Sequence, residues 1–202
     1  MSPANTESES CQRILEAAEG LVRQKGFGAT TVDDICKAAG VTKGGFFHYF
    51  KSKNALGLEL LRRIDAEFSN EQCCGGTPQP SDSLERLMLA IDRMAHAATD
   101  PESNCCILGV FAQEMCETDE AISDLCQSIC NKAMEQFTEA FQAVKDDYSP
   151  DSEIDAKALT ETLFALRQGA AVMAKAQGNT DIIASVYENF KTMVRYLFKP
   201  AS

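Results

Sequence analysis

Residues Thr30–Leu60 read TTVDDICKAAGVTKGGFFHYFKSKNALGLEL, and this stretch decides the fold. Val32, Ile35, Cys36 and Ala39 recur at helical spacing, so one face of a short helix is apolar. Gly40 breaks the run, and Thr42 offers a hydroxyl cap for a second short helix. That second helix carries Lys43 and four aromatic residues. A third helix opens among Lys51, Ser52 and Lys53. This is the layout of a helix-turn-helix, which presents its second helix to the DNA major groove.

The aromatic cluster sharpens the reading. Phe46, Phe47, Tyr49 and Phe50 cannot share one face at about 3.6 residues per turn. Some must point outward beside the lysines, and an outward aromatic beside a cation suits a nucleic-acid surface better than a core.

Charge agrees once it is divided along the chain. The net charge of −11 looks wrong for a partner of phosphate. From Arg23 to Arg63, however, eight Lys/Arg stand against three Asp/Glu, whereas from Ile64 onward ten stand against 23. A basic head on an acidic body predicts that the head meets DNA and the body is repelled by it.

No apolar run approaches the ~18 residues of a membrane span, and MSPANTESES lacks a signal pattern, so a cytoplasmic protein without membrane association is expected. Nine cysteines include the adjacent pairs Cys73-Cys74 and Cys105-Cys106, which are poorly placed to bridge each other; reduced thiols are expected. With His48 and His96 the only histidines and no CxxC spacing, neither a metal nor another cofactor is expected.

Every periodicity along the chain is helical. Ile14, Leu15, Ala18, Leu21 and Val22 line a first helix that stops at Lys25-Gly26. Thr30 with Asp33 resembles a capping box for the second. A fourth helix is predicted from near Ser52 to about Asn70, with Leu56, Leu60, Ile64 and Phe68 along it. A breaker-rich loop, CCGGTPQPSDS, covers Cys73 to Ser83. Longer helices follow, carrying Leu84, Leu87, Met88, Ile91 and Ala95; Ile107, Phe111 and Met115; Ile122, Leu125, Ile129, Ala133, Phe137 and Val144; Leu159, Leu163, Leu166, Ala170 and Met173, ending at Gly178; and Ile183, Val186, Phe190, Val194 and Leu197. The expectation is an all-α protein of about nine helices. Residues 1–52 form a DNA-binding domain and 53–202 a larger helical bundle.

The run Lys25–Lys53, KGFGATTVDDICKAAGVTKGGFFHYFKSK, with a helix on either side, resembles the TetR family of transcriptional repressors over roughly Ile14–Leu61. The resemblance implies a homodimer in which each subunit joins a three-helix head to a ligand-binding body. Where the family commonly reads GTLYYHF, Gly44 to Phe50 reads GGFFHYF. Phe46 and Phe50 take the buried places. Lys43, Gly44, Gly45, Phe47 and His48 fall at the groove, Tyr49, Lys53 and the threonine pair Thr30-Thr31 fall at phosphates, and the cap Thr42 counts among the DNA-binding residues. Lys43 can donate to guanine O6 or N7, and Phe47 can pack on a thymine methyl. The glycine pair disfavours helix by about 1 kcal/mol each, which predicts a loosely formed recognition helix.

For the body, the candidate pocket is Leu87, Ile91, Met94, Phe111, Met115, Phe137 and Met173, with His96, Gln113 and Arg167 as polar anchors. Its methionines and phenylalanines suit a hydrophobic effector. The resemblance assigns the dimer interface to the last two helices, where Gly169-Ala170-Ala171 permits close approach. It also marks Cys105 and Cys106 as candidate sensors of oxidants or electrophiles, because a helix start favours thiolate. Cys126 and Cys130 read as packing. Dimerisation also follows from function, since two recognition helices about 34–36 Å apart read a palindromic operator in double-stranded DNA. No Glu-x-x-His pair, catalytic triad context or phosphate loop speaks for an enzyme. The competing reading is a helical ligand-binding or interaction protein that no longer binds DNA.

Overall fold

Among the described residues the chain forms nine helices and no strand. The structure is a computed structural model that describes residues 3–74, 80–99 and 106–198, with side chains over 9–66, 80–99 and 106–198. The helices are α1 (Pro3–Lys25), α2 (Val32–Ala39), α3 (Lys43–Tyr49), α4 (Lys53–Cys74), α5 (Ser83–Thr99), α6 (Ile107–Glu114), α7 (Glu120–Tyr148), α8 (Ala156–Gln177) and α9 (Asp181–Leu197).

Local chemistry explains most of their ends. The Ser52 hydroxyl accepts the Ala55 N–H at 3.0 Å as α4 begins. The Asp155 carboxylate accepts the N–H groups of Lys157 and Ala158 at the start of α8, and Gly178 closes that helix in the left-handed region. The capping box of α2 lies one residue later than the spacing predicts. Thr31 is the cap, its hydroxyl accepting from the Asp34 N–H while the Asp34 carboxylate accepts from the Thr31 N–H. Thr30 is instead fully buried, and its hydroxyl donates to the Gly26 carbonyl at 2.7 Å. The predicted loop is shorter at its edges, because Cys73 and Cys74 still belong to α4 and Ser83 already belongs to α5.

The chain packs as two compact units, residues 1–69 with 105–128 and residues 70–104 with 129–202. In the first, α2 packs against α1 and α3, and Ile14, Ala18 and Val22 of α1, Ile35 and Ala39 of α2, Phe46 of α3 and Leu56, Leu60 and Leu61 of α4 are buried. α6 joins this unit and packs against α1. Phe27 and Phe111, both buried, meet at a tilt with ring centroids 4.6 Å apart.

In the second unit α9 packs against both α5 and α8. Leu87 and Ile91 of α5, Phe137, Phe141 and Val144 of α7, Leu163 of α8 and Phe190 and Val194 of α9 are buried. Phe141 meets Phe190 edge to face at 6.2 Å. The buried Lys191 ammonium is paired with Asp92 and Glu188, as a charge withdrawn from water requires. Leu197, predicted to line α9's inner face, is 38% exposed; Phe198 beyond the helix end is buried.

Candidate nucleic-acid interface

The turn between α2 and α3 is made by Gly40, whose φ of 65° is a left-handed backbone that a side chain disfavours. Its N–H and that of Val41 both reach the Cys36 carbonyl, which ends α2 and aims the chain into α3. Thr42 then caps α3 by accepting the Gly45 N–H at 3.1 Å. With that cap and two buried rings, α3 is helical over Lys43–Tyr49 despite its glycine pair.

Phe46 and Phe50 are buried with ring centroids 5.7 Å apart, and they clamp α3 to the head. The opposite side is open. Thr42, Lys43, Gly44 and His48 are exposed, and Phe47 is 51% exposed. The Phe47 ring therefore gives the fold only part of the hydrophobic gain that the sealed Phe46 ring gives. Gly45 and Tyr49 are half-buried at the margin. Lys43 bridges to Asp33 at 2.8 Å, and that carboxylate raises the lysine's pKa, keeping it charged.

Three residues predicted at phosphates are engaged within the head, the buried Thr30 among them. The Lys53 ammonium donates to the carbonyls of Phe27 (2.9 Å), Gly28 (3.3 Å) and Thr30 (3.0 Å). It also lies 4.5 Å from the Phe27 ring centroid, and burial pushes its pKa down. Its direct role here is to order the α1–α2 turn. Thr31 is exposed, but its hydroxyl and amide are committed to Asp34. The exposed cations next to α3 include Lys37 on α2 and Lys51 just past α3, neither of which the motif match singled out. Lys51 could have been found from its place between the recognition helix and the next helix cap.

The body candidates separate. Leu87, Ile91 and Met94 on α5 and Phe137 on α7 are each buried in the second unit. Arg167 is half-buried, while His96 and Gln113 are exposed and Met173 is 49% exposed. Phe111 and Met115 belong to the first unit, where Phe111 packs on Phe27. Polar atoms missed by sequence reasoning lie inside the second unit: Ser83 Oγ and Gln136 Oε1 are buried and find no hydrogen-bond partner among the described residues. Cys105 lies outside the described residues. Cys106 is the cap of α6, half-buried, its Sγ accepting the Gly109 N–H at 3.4 Å.

A capped two-helix turn with an exposed cationic and aromatic face defines the class: a DNA-binding protein of the helix-turn-helix type. Comparison with known proteins gives the family. The model "Bacterial regulatory proteins, tetR family" matches residues 14–60, and "Transcriptional regulator LmrA/YxaF-like, C-terminal domain" matches residues 83–189. The chain belongs to the TetR family of transcriptional regulators.

The transcriptional regulator AcuR of Cereibacter sphaeroides is 27% identical over 184 residues, 89% of this chain and 82% of that protein. The repressor DhaR of a Mycobacterium species is 24% identical over 201 residues, covering 95% and 93% of the two chains. A TetR transcriptional regulator from Chloroflexus aurantiacus has the same fold, with a TM-score of 0.80 at 21% identity over 97% of this chain and 98% of that one. No described helix is long and apolar enough to cross a membrane.

Proposed function

We propose that the protein is a homodimeric repressor that acts in the cytoplasm. Residues 1–52 carry the DNA-binding role, and residues 53–202 carry dimerisation and effector binding. Each protomer lays α3 in the major groove of one half of a palindromic operator. Lys43 donates to a guanine edge, Phe47 packs on a thymine methyl, and the bare Gly44 backbone comes close to the DNA. Thr42, Gly45 and His48 border the groove, and Tyr49 with the neighbouring Lys51 reaches phosphates. The observation that carries this reading is the two-sidedness of α3, with Phe46 sealed inside and Phe47 half exposed beside Lys43.

Support for the homodimer comes from the second unit. Leu166, Val172 and Met173 on α8 and Met193, Tyr196 and Leu197 on α9 are large apolar residues left exposed. Exposed apolar residues concentrated on two helices are what a partner surface requires.

Effector release is the regulatory half of the proposal. A hydrophobic effector fits among Leu87, Ile91, Met94 and Phe137, with Ser83 and Gln136 as hydrogen-bonding anchors. Cys106, half-buried at the start of α6 with its Sγ accepting the Gly109 N–H, is the candidate for an electrophilic or oxidising effector. Either effector lowers operator affinity only through its differential affinity for the two states of the protein.

Selection of bound duplexes from a random DNA pool tests the reading. A palindrome with half-sites one helical turn apart, bound with a steep salt dependence, is expected. Failure to enrich any duplex, with salt-independent retention, would leave a helical ligand-binding protein instead.

A further inference from the structure

The α1–α2 turn is gripped from two sides by side chains of opposite charge. Gly28 donates its N–H to Glu114 Oε2 at 2.6 Å, and its carbonyl accepts from the Lys53 ammonium. Lys53 takes the Phe27 and Thr30 carbonyls as well. The backbone from Phe27 to Thr30 is therefore held by α4 through its carbonyls and by α6 through one amide.

The turn is shaped for this grip. Gly26 has φ 88°, and a Cβ built there would stand 2.3 Å from Glu114 Oε1. A side chain at residue 26 is thus strained by the backbone conformation, and the Glu114 carboxylate would have to shift to admit it. Phe111, one helical turn before Glu114, packs at a tilt on Phe27 and brings α6 against the turn. Beside it, Asn54 Nδ2 donates to Asp119 Oδ2 at 2.7 Å, tying the start of α4 to the residue before α7. The segment then runs straight into Thr31, the cap of α2, and so sets where the helix-turn-helix begins.

We propose that Glu114 is a positioning residue for DNA binding: it holds the Gly28 amide and thereby orients α2 and α3, although it contacts no base or phosphate. This rests on the DNA-binding reading above. A hydrogen-bonding role, rather than a charge effect, makes a specific demand. Glutamine keeps an acceptor oxygen in place and removes the same negative charge that alanine removes, so Gln and Ala variants must behave differently.

The experiment uses full-length protein and the selected operator, with Glu114→Ala and Glu114→Gln. Amide hydrogen exchange at Gly28 is measured beside the operator Kd and its salt slope. Glu114→Ala is expected to speed Gly28 exchange and weaken operator binding about tenfold, the ~1.4 kcal/mol scale of one lost hydrogen bond. The salt slope is expected to stay unchanged, because no phosphate contact is lost. Glu114→Gln is expected to stay within about twofold of wild type on both measures, as one acceptor replaces another. Equal behaviour of the two variants, or an Ala variant that exchanges and binds as wild type does, overturns the proposal. If wild type itself bound no duplex, the functional reading would fall, and Gly28 exchange would still report separately whether Glu114 holds the turn.

Discussion

Phe47 and Phe46 are neighbours in sequence, yet one is half in water and the other has no exposed surface. Truncating an exposed ring barely affects folding, so Phe47→Ala is expected to keep its thermal midpoint while losing about tenfold in operator affinity, within the ~1–3 kcal/mol of a base-edge contact. Titration by fluorescence anisotropy beside a melting curve reads both. Asp33 makes the opposite prediction. Its carboxylate holds Lys43 in an exposed pair, which contributes little to stability but places a negative charge on the face proposed to meet DNA. Asp33→Asn is expected to raise affinity for random-sequence DNA several-fold and steepen the salt slope by about one, as one more lysine is released to phosphate. Unchanged binding to random DNA would show that Lys43 is not restrained.

At the scale of elements, α4 meets two rings through a residue without a side chain. A Cβ at Gly57 would stand 2.9 Å from Phe111 and 3.0 Å from Phe27, both buried. Alanine normally improves a helix by about 1 kcal/mol over glycine. Here overpacking is expected to win, so Gly57→Ala should destabilise the protein by about 1–3 kcal/mol in urea unfolding. A stabilised variant would mean that the rings yield without cost.

The start of α2 carries a pH dependence. The Lys25 ammonium, with the Thr31 hydroxyl and amide, holds the Asp34 carboxyl well below the usual carboxylate range. A depressed folded pKa contributes stability that is complete above the unfolded value near ~4 and fades as pH falls further. The stability difference between wild type and Asp34→Asn should therefore be constant from neutral pH down to about 5 and shrink below about 4. Urea midpoints across that range check it, and a difference that grows in acid would contradict the assignment.

On the scale of the whole molecule, the proposed homodimer makes a demand on α8. Val172 is 59% exposed and Met173 49%, both on α8 and both costly to leave in water. Val172→Glu is expected to give a monomer by sedimentation, with operator affinity lowered at least about a hundredfold because the second half-site no longer binds as a linked event. A dimer that survives this change would place the partner surface elsewhere.

The architecture was legible because helix ends and faces are local. Ile35, Cys36 and Ala39 declare a buried stripe by spacing alone, Gly40 and Gly178 declare helix stops, and Thr42 declares a cap. The two-sidedness of α3 was legible for the same reason, since five consecutive positions cannot put four aromatics on one side. Partners chosen from far along the chain were not legible. Lys53 looked like a phosphate ligand until the Phe27, Gly28 and Thr30 carbonyls were seen around its ammonium. Phe111 looked like pocket lining and packs on Phe27 instead, while Met173 faces outward. Periodicity determines which residues share a face, because that follows from backbone geometry within a few turns. What the face meets is decided by packing between segments such as Gly28 and Glu114, 86 residues apart, and only the folded chain brings those together.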